Sequence, residues 1–383
     1  MTSILHITGG LTLVGGTPRK LLYLAQASDR TLLRNHILCT ATDEIAREFA
    51  TAGVETTCTR GDPLHLTATA LRLTRARTFD VIATHFNLAL GCGALVARIK
   101  GLPWVHHEHG PYDAHRPAGT ARAWAGEQIK KRALRHADGV IANSNYTART
   151  VVSGVGVDEN RIHVVHCPVV ARSQGTRRVN EPNRTANNRP LVVGHVGGLI
   201  AARDQRTAIL ALAEVRRQID AKLLIVGDGP LRNHLERYSV ECGVADHVNF
   251  AGYRTDLGEF FNAIDLYVNP AVSEGFGIAN VEAMLAGVPV LLANAGAHAE
   301  LIRDRETGVL FEPGNAMQLA GAIVDLALHP VLRATIGDSG KDHAGLSFSP
   351  QKFSDNYFQA INAILNDSAD IELKRMTRRA VSG

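Results

Sequence analysis

SEGFGIANVEAMLAGVPVLLANAGAHAELI, residues 273–302, is the stretch whose reading decides the fold. It opens on a turn, Ser273-Glu274-Gly275-Phe276-Gly277, and continues as a helix with Ile278, Val281, Met284 and Leu285 at helical spacing. Gly287 closes that helix, and Val288-Pro289 restarts the chain as an apolar strand from Pro289 to Ala293. Glu274 and Glu282 lie eight residues apart, one in the loop and one about two turns into the helix, so both can face one cleft. The helix start presents backbone N–H groups from Gly275 through Ile278, a site for a phosphate, and the glycines let the backbone approach it closely. A diphosphate cradle between two carboxylates is what a nucleotide-sugar enzyme needs. A buried strand–loop–helix with incidental acids accounts equally well for helix and loop alone.

Upstream, the same half of the chain begins as a doubly wound domain begins. Leu191–Val196 (LVVGHV) is a strand, Gly197-Gly198-Leu199 a turn, and a helix runs from about Asp204 to Gln218. Strands at Lys222–Val226 and Asp265–Asn269 follow, with a helix at Leu231–Cys242; downstream come a strand at Gly308–Phe311 and a helix at Met317–Leu328. Residues 171–190 carry almost no apolar side chains and read as a linker. Before it, Ser3–Thr8 (SILHIT) is a strand that leads through Gly9-Gly10 and Gly15-Gly16-Thr17-Pro18 into a helix. This second strand–glycine–helix opening is not G-x-G-x-x-G, so a dinucleotide fingerprint is not supported. The expected organisation is a domain at 1–170, a linker at 171–190, a domain at 191–350, a helix at 351–366 and a basic tail at 367–383.

A chain of 383 residues suggests two cores, and 45% apolar with 20% charged residues suits a globular protein. No apolar run reaches membrane-span length, and MTSILHITGG lacks the basic start of a signal peptide, so the expected location is the cytoplasm. Five cysteines without a C-x-x-C pair read as reduced thiols. Charge is uneven: 19 Lys and Arg against 13 Asp and Glu in residues 1–170, and 22 against 24 in the rest. The basic half suits peripheral contact with an anionic membrane surface or an acidic acceptor; an Arg-biased solvated surface reads the same way. The cluster Lys130, Lys131, Arg132 and Arg135 reads as a solvated helix face. With 5% aromatics and no basic–aromatic interleaving, nucleic acid is not an expected partner.

Trp104-Val105-His106-His107-Glu108-His109-Gly110 is a strand whose alternation puts His107 and His109 on one face and His106 and Glu108 on the other. The spacing is not H-E-x-x-H and no third ligand is identified, so no metal is expected.

Glu-x7-Glu followed by EAMLAGVPVLLANAGAHAELI resembles the retaining glycosyltransferases of family 4, and the likeness extends over most of the chain. The resemblance implies the α/β GT-B fold, two doubly wound Rossmann-like domains facing each other across a cleft, with the C-terminal helix crossing back to the first. It implies a retaining, metal-independent transfer of a sugar from an NDP-sugar, UDP or GDP, to a hydroxyl acceptor of a cell-surface glycan, glycolipid or small metabolite. No cofactor is implied beyond the NDP-sugar as co-substrate. By resemblance Glu274 contacts the sugar and Glu282 the nucleotide ribose, while Gly275, Phe276, Gly277 and Ile278 supply backbone contacts. Gly15 and Gly16 lie against the donor diphosphate, and His109 lies near the transferred sugar. The family's diphosphate pattern Gly-Arg-Leu-x3-Lys aligns with Gly197-Gly198-Leu199-Ile200-Ala201-Ala202-Arg203. Arg203 takes the Lys position, Gly198 stands where the Arg would be, and Arg206, another basic residue or the helix N-terminus is left to replace it. That departure keeps open a catalytically weakened nucleotide-sugar-binding protein; an isomerase on a GT-B scaffold is the other alternative.

Overall fold

The structure, a computed structural model, describes residues 1–11, 16–28, 31–42, 45–112, 121–170, 189–254 and 256–382. The chain forms two compact units, residues 1–168 with 350–383, and residues 169–349.

In the first unit the strands are β1 (Thr2–Ile7), β2 (Gly10–Leu11), β3 (Leu33–Cys39), β4 (Ala41–Thr42), β5 (Glu55–Cys58), β6 (Val81–His85), β7 (Trp104–Glu108), β8 (Gly139–Ala142) and β9 (Ile162–Val164). Its helices are α1 (Gly16–Ala27), α2 (Ile45–Thr51), α3 (Pro63–Ala76), α4 (Phe86–Lys100), α5 (Ala121–Leu134) and α6 (Asn145–Val155). Seven strands form one parallel sheet in the order β5-β3-β1-β6-β7-β8-β9, with β2 and β4 paired apart. β6 and β8 are buried along their whole length, as strands covered on both faces must be. The helix α3 was not foreseen, although its signals are local. The Asp62 carboxylate accepts from the His65 N–H at 3.0 Å, and Pro63 sits at the helix start. The basic face of α5 is less solvated than expected: Lys130 Nζ lies 4.7 Å from the Tyr112 ring centroid and 3.7 Å from Glu108, and Arg135 Nε donates to Val155 O at 2.7 Å.

In the second unit the strands are β10 (Leu191–Val196), β11 (Ala221–Val226), β12 (Val248–Phe250), β13 (Leu266–Asn269), β14 (Val290–Ala293) and β15 (Val309–Phe311). Its helices are α7 (Gln205–Val215), α8 (Arg232–Glu241), α9 (Gly258–Ala263), α10 (Ile278–Leu285), α11 (His298–Leu301), α12 (Ala316–Leu328) and α13 (Pro330–Ser347). They build a parallel sheet in the order β12-β11-β10-β13-β14-β15 over a core that includes Val193, Leu212, Leu223, Val268, Leu319 and Ile323. Both sheets are Rossmann-like. Strand order reverses between β1 and β6 in one and between β10 and β13 in the other, and the crevices beyond the strand C-termini at those points are where such sheets hold ligands.

The last helix, α14 (Pro350–Ser382), belongs to the first unit. Phe353, Tyr357, Ile361 and Ile364 pack with Ile4, Val81, Val105 and Ile141 of the sheet. It does not stop at 366, as the sequence reading had it, but continues through the stretch read as a basic tail. Val169 N–H bonds Phe348 O at 2.9 Å, which ties residue 169 to the second unit. Of the expected linker, residues 171–188 lie outside the described residues, and Arg189 is already anchored on Asp265 at 2.5 Å. Among the described residues no single helix is long and apolar enough to cross a membrane.

Candidate functional site

The second unit's switch point gathers the residues expected to act on the diphosphate and on the sugar of a nucleotide-sugar. The loop after β10 carries Arg203 and the loop after β13 carries Glu274, so the strand order itself brings them together. Arg203 Nη1 donates to Glu274 Oε2 in an ion pair whose side chains are 26% and 13% exposed. The two loops are also stitched by backbone, Val272 N–H to Ala202 O at 3.0 Å. Asp204, next to Arg203, holds φ +45°, and its carboxylate accepts from Thr207 Oγ1 at 2.6 Å. A non-glycine residue in that region is strained and persists only where its surroundings enforce it.

Glu274 is fixed through its main chain as well. Its carbonyl accepts from Ala297 N–H at 3.0 Å, and Gly296, at φ +60°, crosses so close that a Cβ there would lie 2.6 Å from Glu274 O. The sequence reading took Gly296 only as part of the motif; its function is this crossing. Phe276 is buried edge-on against Phe348 at 5.5 Å, so its side chain anchors the loop and only its backbone can face a ligand. Gly277, at φ +84°, is the N-cap of α10, with no side-chain hydrogen bond at that cap. A larger residue there would meet Asn280 Nδ2 at 2.3 Å. Glu282 is 4% exposed, inside α10. Gly275 is buried and Ile278 half-buried.

Several supporting residues escaped the sequence reading. His195 Nδ1–H donates to Val268 O at 3.0 Å, and Gln205 Nε2 lies 3.3 Å from His195 Nε2 and 2.9 Å from the Gly198 carbonyl that it donates to. This network braces the β10 loop. Burial pushes His195 down to about 4, so it is neutral. Tyr267 is fully buried with its pKa raised, first by burial and then by the Glu274 carboxylate. His298 donates Nδ1–H to Ala293 O at 2.7 Å, and its buried Nε2 has no hydrogen-bond partner among the described residues. These residues are signalled only by position: His195 near the end of β10, Tyr267 within β13, Gln205 at the start of α7 and His298 at the start of α11.

Gly198 is exposed, and a Cβ there would find nothing nearer than Asp228 O at 3.9 Å. Among the described residues a Cβ at this position meets no close contact. Arg206, the suggested substitute, is exposed with its guanidinium 4.3 Å from the Tyr238 ring centroid. Gly15 lies outside the described residues and Gly16 begins α1.

In the first unit, the β7 alternation is observed: His107 and His109 stack at 6.2 Å on one face, while His106 turns to Thr84 Oγ1 at 2.9 Å on the other. His109 is joined there by His85 at the end of β6 and His6 in β1, neither of which the sequence reading connected to it. The ligand atoms of His6, His85 and His107 lie within 4.8 Å of one another. Burial holds all four imidazoles well below the usual histidine range.

The family profile described as Glycosyltransferase Family 4 matches residues 14–172, and that described as Glycosyl transferases group 1 matches residues 177–343. The chain is 28% identical over 291 residues to the D-inositol 3-phosphate glycosyltransferase of Streptomyces scabiei, 70% of this chain and 64% of that one. It is 34% identical over 164 residues to the GDP-mannose-dependent alpha-(1-6)-phosphatidylinositol monomannoside mannosyltransferase of Mycobacterium tuberculosis, 40% of this chain and 42% of that one. The matches thus span 64% and 42% of the length of these relatives. The fold is that of Anabaena HepE crystallised with UDP and glucose, at a TM-score of 0.77 and 22% identity over 94% of this chain and 100% of that one. The two profiles match successive stretches that between them take in most of both units, and the chain belongs to the family 4 glycosyltransferases.

Proposed function

We propose that the protein is a retaining, metal-independent glycosyltransferase that moves a sugar from an NDP-sugar, with UDP or GDP as the nucleotide, to a hydroxyl acceptor. The observation that carries this reading is the Arg203–Glu274 pair at the second unit's switch point. A guanidinium has five N–H donors, so Arg203 can keep Glu274 on one edge while the other meets a phosphate. Glu274 is then placed to accept from sugar hydroxyls and Glu282 from the ribose. Cationic side chains and the α10 N-terminus neutralise the leaving diphosphate, which leaves no step that requires a metal. His109 belongs to the sugar's surroundings in this reading.

The names of the two relatives make an inositol phosphate and a phosphatidylinositol glycolipid the first acceptors to assay. A cytoplasmic location with peripheral contact to an anionic membrane belongs to the same reading. It is supported by Trp124 and Ile129 on α5, 63% and 70% exposed, beside Lys131 and Arg132. The test is thermal: at about 100 times its Kd a bound nucleotide adds about 2.7 kcal/mol, a rise of several degrees. UDP or GDP should raise the melting temperature in the presence of EDTA, and no response to UDP, GDP, ADP or dTDP would remove the reading.

The open position at Gly198 favours a second reading, a donor-binding protein with weakened catalysis. Turnover separates the two, and Gly198→Arg tests the donor site that they share. In this reading an arginine there faces the diphosphate, and a Cβ at 198 meets no close contact among the described residues, so nucleotide affinity should rise about tenfold, the effect of one charge-assisted contact. The transferase reading also requires turnover in the unmodified protein, measured as NDP release with acceptor present.

A further inference from the structure

Three hydrogen bonds run in series through the first unit. His6 Nε2 meets Asn35 Oδ1 at 3.0 Å, His6 Nδ1 meets His85 Nε2 at 3.0 Å, and His85 Nδ1 meets His109 Nε2 at 3.1 Å. A neutral imidazole has one donor nitrogen and one acceptor nitrogen, so each bond dictates the next. Asn35 Oδ1 can only accept, which puts the His6 proton on Nε2 and a lone pair on Nδ1. His85 must then donate from Nε2 and accept at Nδ1, so His109 must donate from Nε2. We infer that His6 and His85 are positioning residues, a two-imidazole strut that holds His109 in its Nε2–H tautomer with Nδ1 as its acceptor atom.

This rests on the reading of His109 as a neighbour of the transferred sugar. Nδ1 then accepts from a sugar hydroxyl and cannot donate to one. The surroundings keep the strut neutral. It is packed by His107 from β7, by Tyr357 from α14, whose hydroxyl is 3.2 Å from His107 Nε2, and by Lys20 from α1. Lys20 is buried with Nζ 5.7 Å from the Phe353 centroid, and its charge opposes protonation of His85, His107 and His109. His106 from the opposite sheet face adds to this. The cluster is read as a strut and not a metal site because His6 Nδ1 and His85 Nε2 face each other as acceptor and donor, and His85 and His107 stack face to face at 4.2 Å. Imidazoles sharing an ion would aim two lone pairs at one point.

The tautomer can be measured directly in the parent protein. Imidazole ¹⁵N correlation spectra of the full-length protein, with the His109 signals assigned by their loss in His109→Ala, should show the proton on Nε2. A proton on Nδ1 overturns the proposal, and so does a stoichiometric metal found by elemental analysis of the purified protein. His85→Leu should release the tautomer and lower kcat about 10–100-fold with donor KM little changed, whereas His85→Asn, whose Oδ1 can accept from His109, should recover most of it. Equal rates for the Leu variant and the parent overturn it. Full activity in His109→Ala, with the parent protein carrying the proton on Nε2, would remove the role of His109 in transfer and overturn the assignment of His6 and His85 as positioning residues for the reaction.

Discussion

Glu274→Ala is expected to abolish sugar transfer, a fall of ~10³-fold or more, while leaving nucleotide binding intact or tighter. The two halves of this outcome come from one geometry. In the structure Glu274 holds Arg203, the cation assigned to the diphosphate. Were Glu274 only a brace for Arg203, its removal would damage donor binding to the same degree as Arg203→Ala. If it serves the sugar, its removal releases Arg203 to the phosphate and costs the chemistry instead. UDP and GDP affinities of Glu274→Ala, Arg203→Ala and the double variant separate the two cases, because the residues are in contact and their effects will not add. Stability is not the confounder: a partly exposed pair contributes at most about 1 kcal/mol. Near-parental transfer by Glu274→Ala, or a loss of nucleotide affinity matching that of Arg203→Ala, would end the assignment.

The legibility of this site in the sequence follows from how local its signals are. Residues 273–302 carry a helix period, a closing glycine and an apolar strand within one stretch, and α10 and β14 appear where that pattern places them. The helix α3 was missed despite its Asp62 cap and Pro63, because the apolar pattern between Leu64 and Leu73 is broken by threonines. The helix α13 was missed for a related reason, a surface-rich sequence whose buried face is made of Ile336, Gly337, Gly340 and Ala344 and carries little apolar contrast. The site is legible where one segment holds it and illegible where the sheet assembles it. Nothing near Arg203 announces that Glu274 will meet it 71 residues later; only the adjacency of β10 and β13 does. The histidine series has the same character. His6, His85 and His109 each end or nearly end a strand, and their relation exists only once β1, β6 and β7 are side by side.

Acidification from pH 7 to pH 5 should destabilise both units, the first more than the second. His6, His106 and His195 are each at most 1% exposed, and burial lowers their pKa values from 6.5 to about 4, about 3 and about 4. In the unfolded chain these groups take up protons below pH 6.5, and in the folded protein they do not until their own lower pKa values. The unfolded state therefore binds more protons in this window, and stability falls as pH drops. At pH 5 each group costs about 2 kcal/mol relative to pH 8. His6 and His106 lie in the first unit and His195 in the second, so the losses are about 4 and about 2 kcal/mol. For domains of this size that corresponds to falls of roughly 8–16 °C and 4–8 °C in melting temperature. His36, His85, His107, His109 and His163, lowered in the same direction, add to the first figure, and His298 and His343 add to the second. A calorimetric series from pH 8 to pH 5 should show little change above pH 7, then a first transition that moves down faster than a second. A melting profile unchanged between pH 7 and pH 5, or one in which the second unit alone weakens, would show that these imidazoles are not held neutral by the interior as the structure places them.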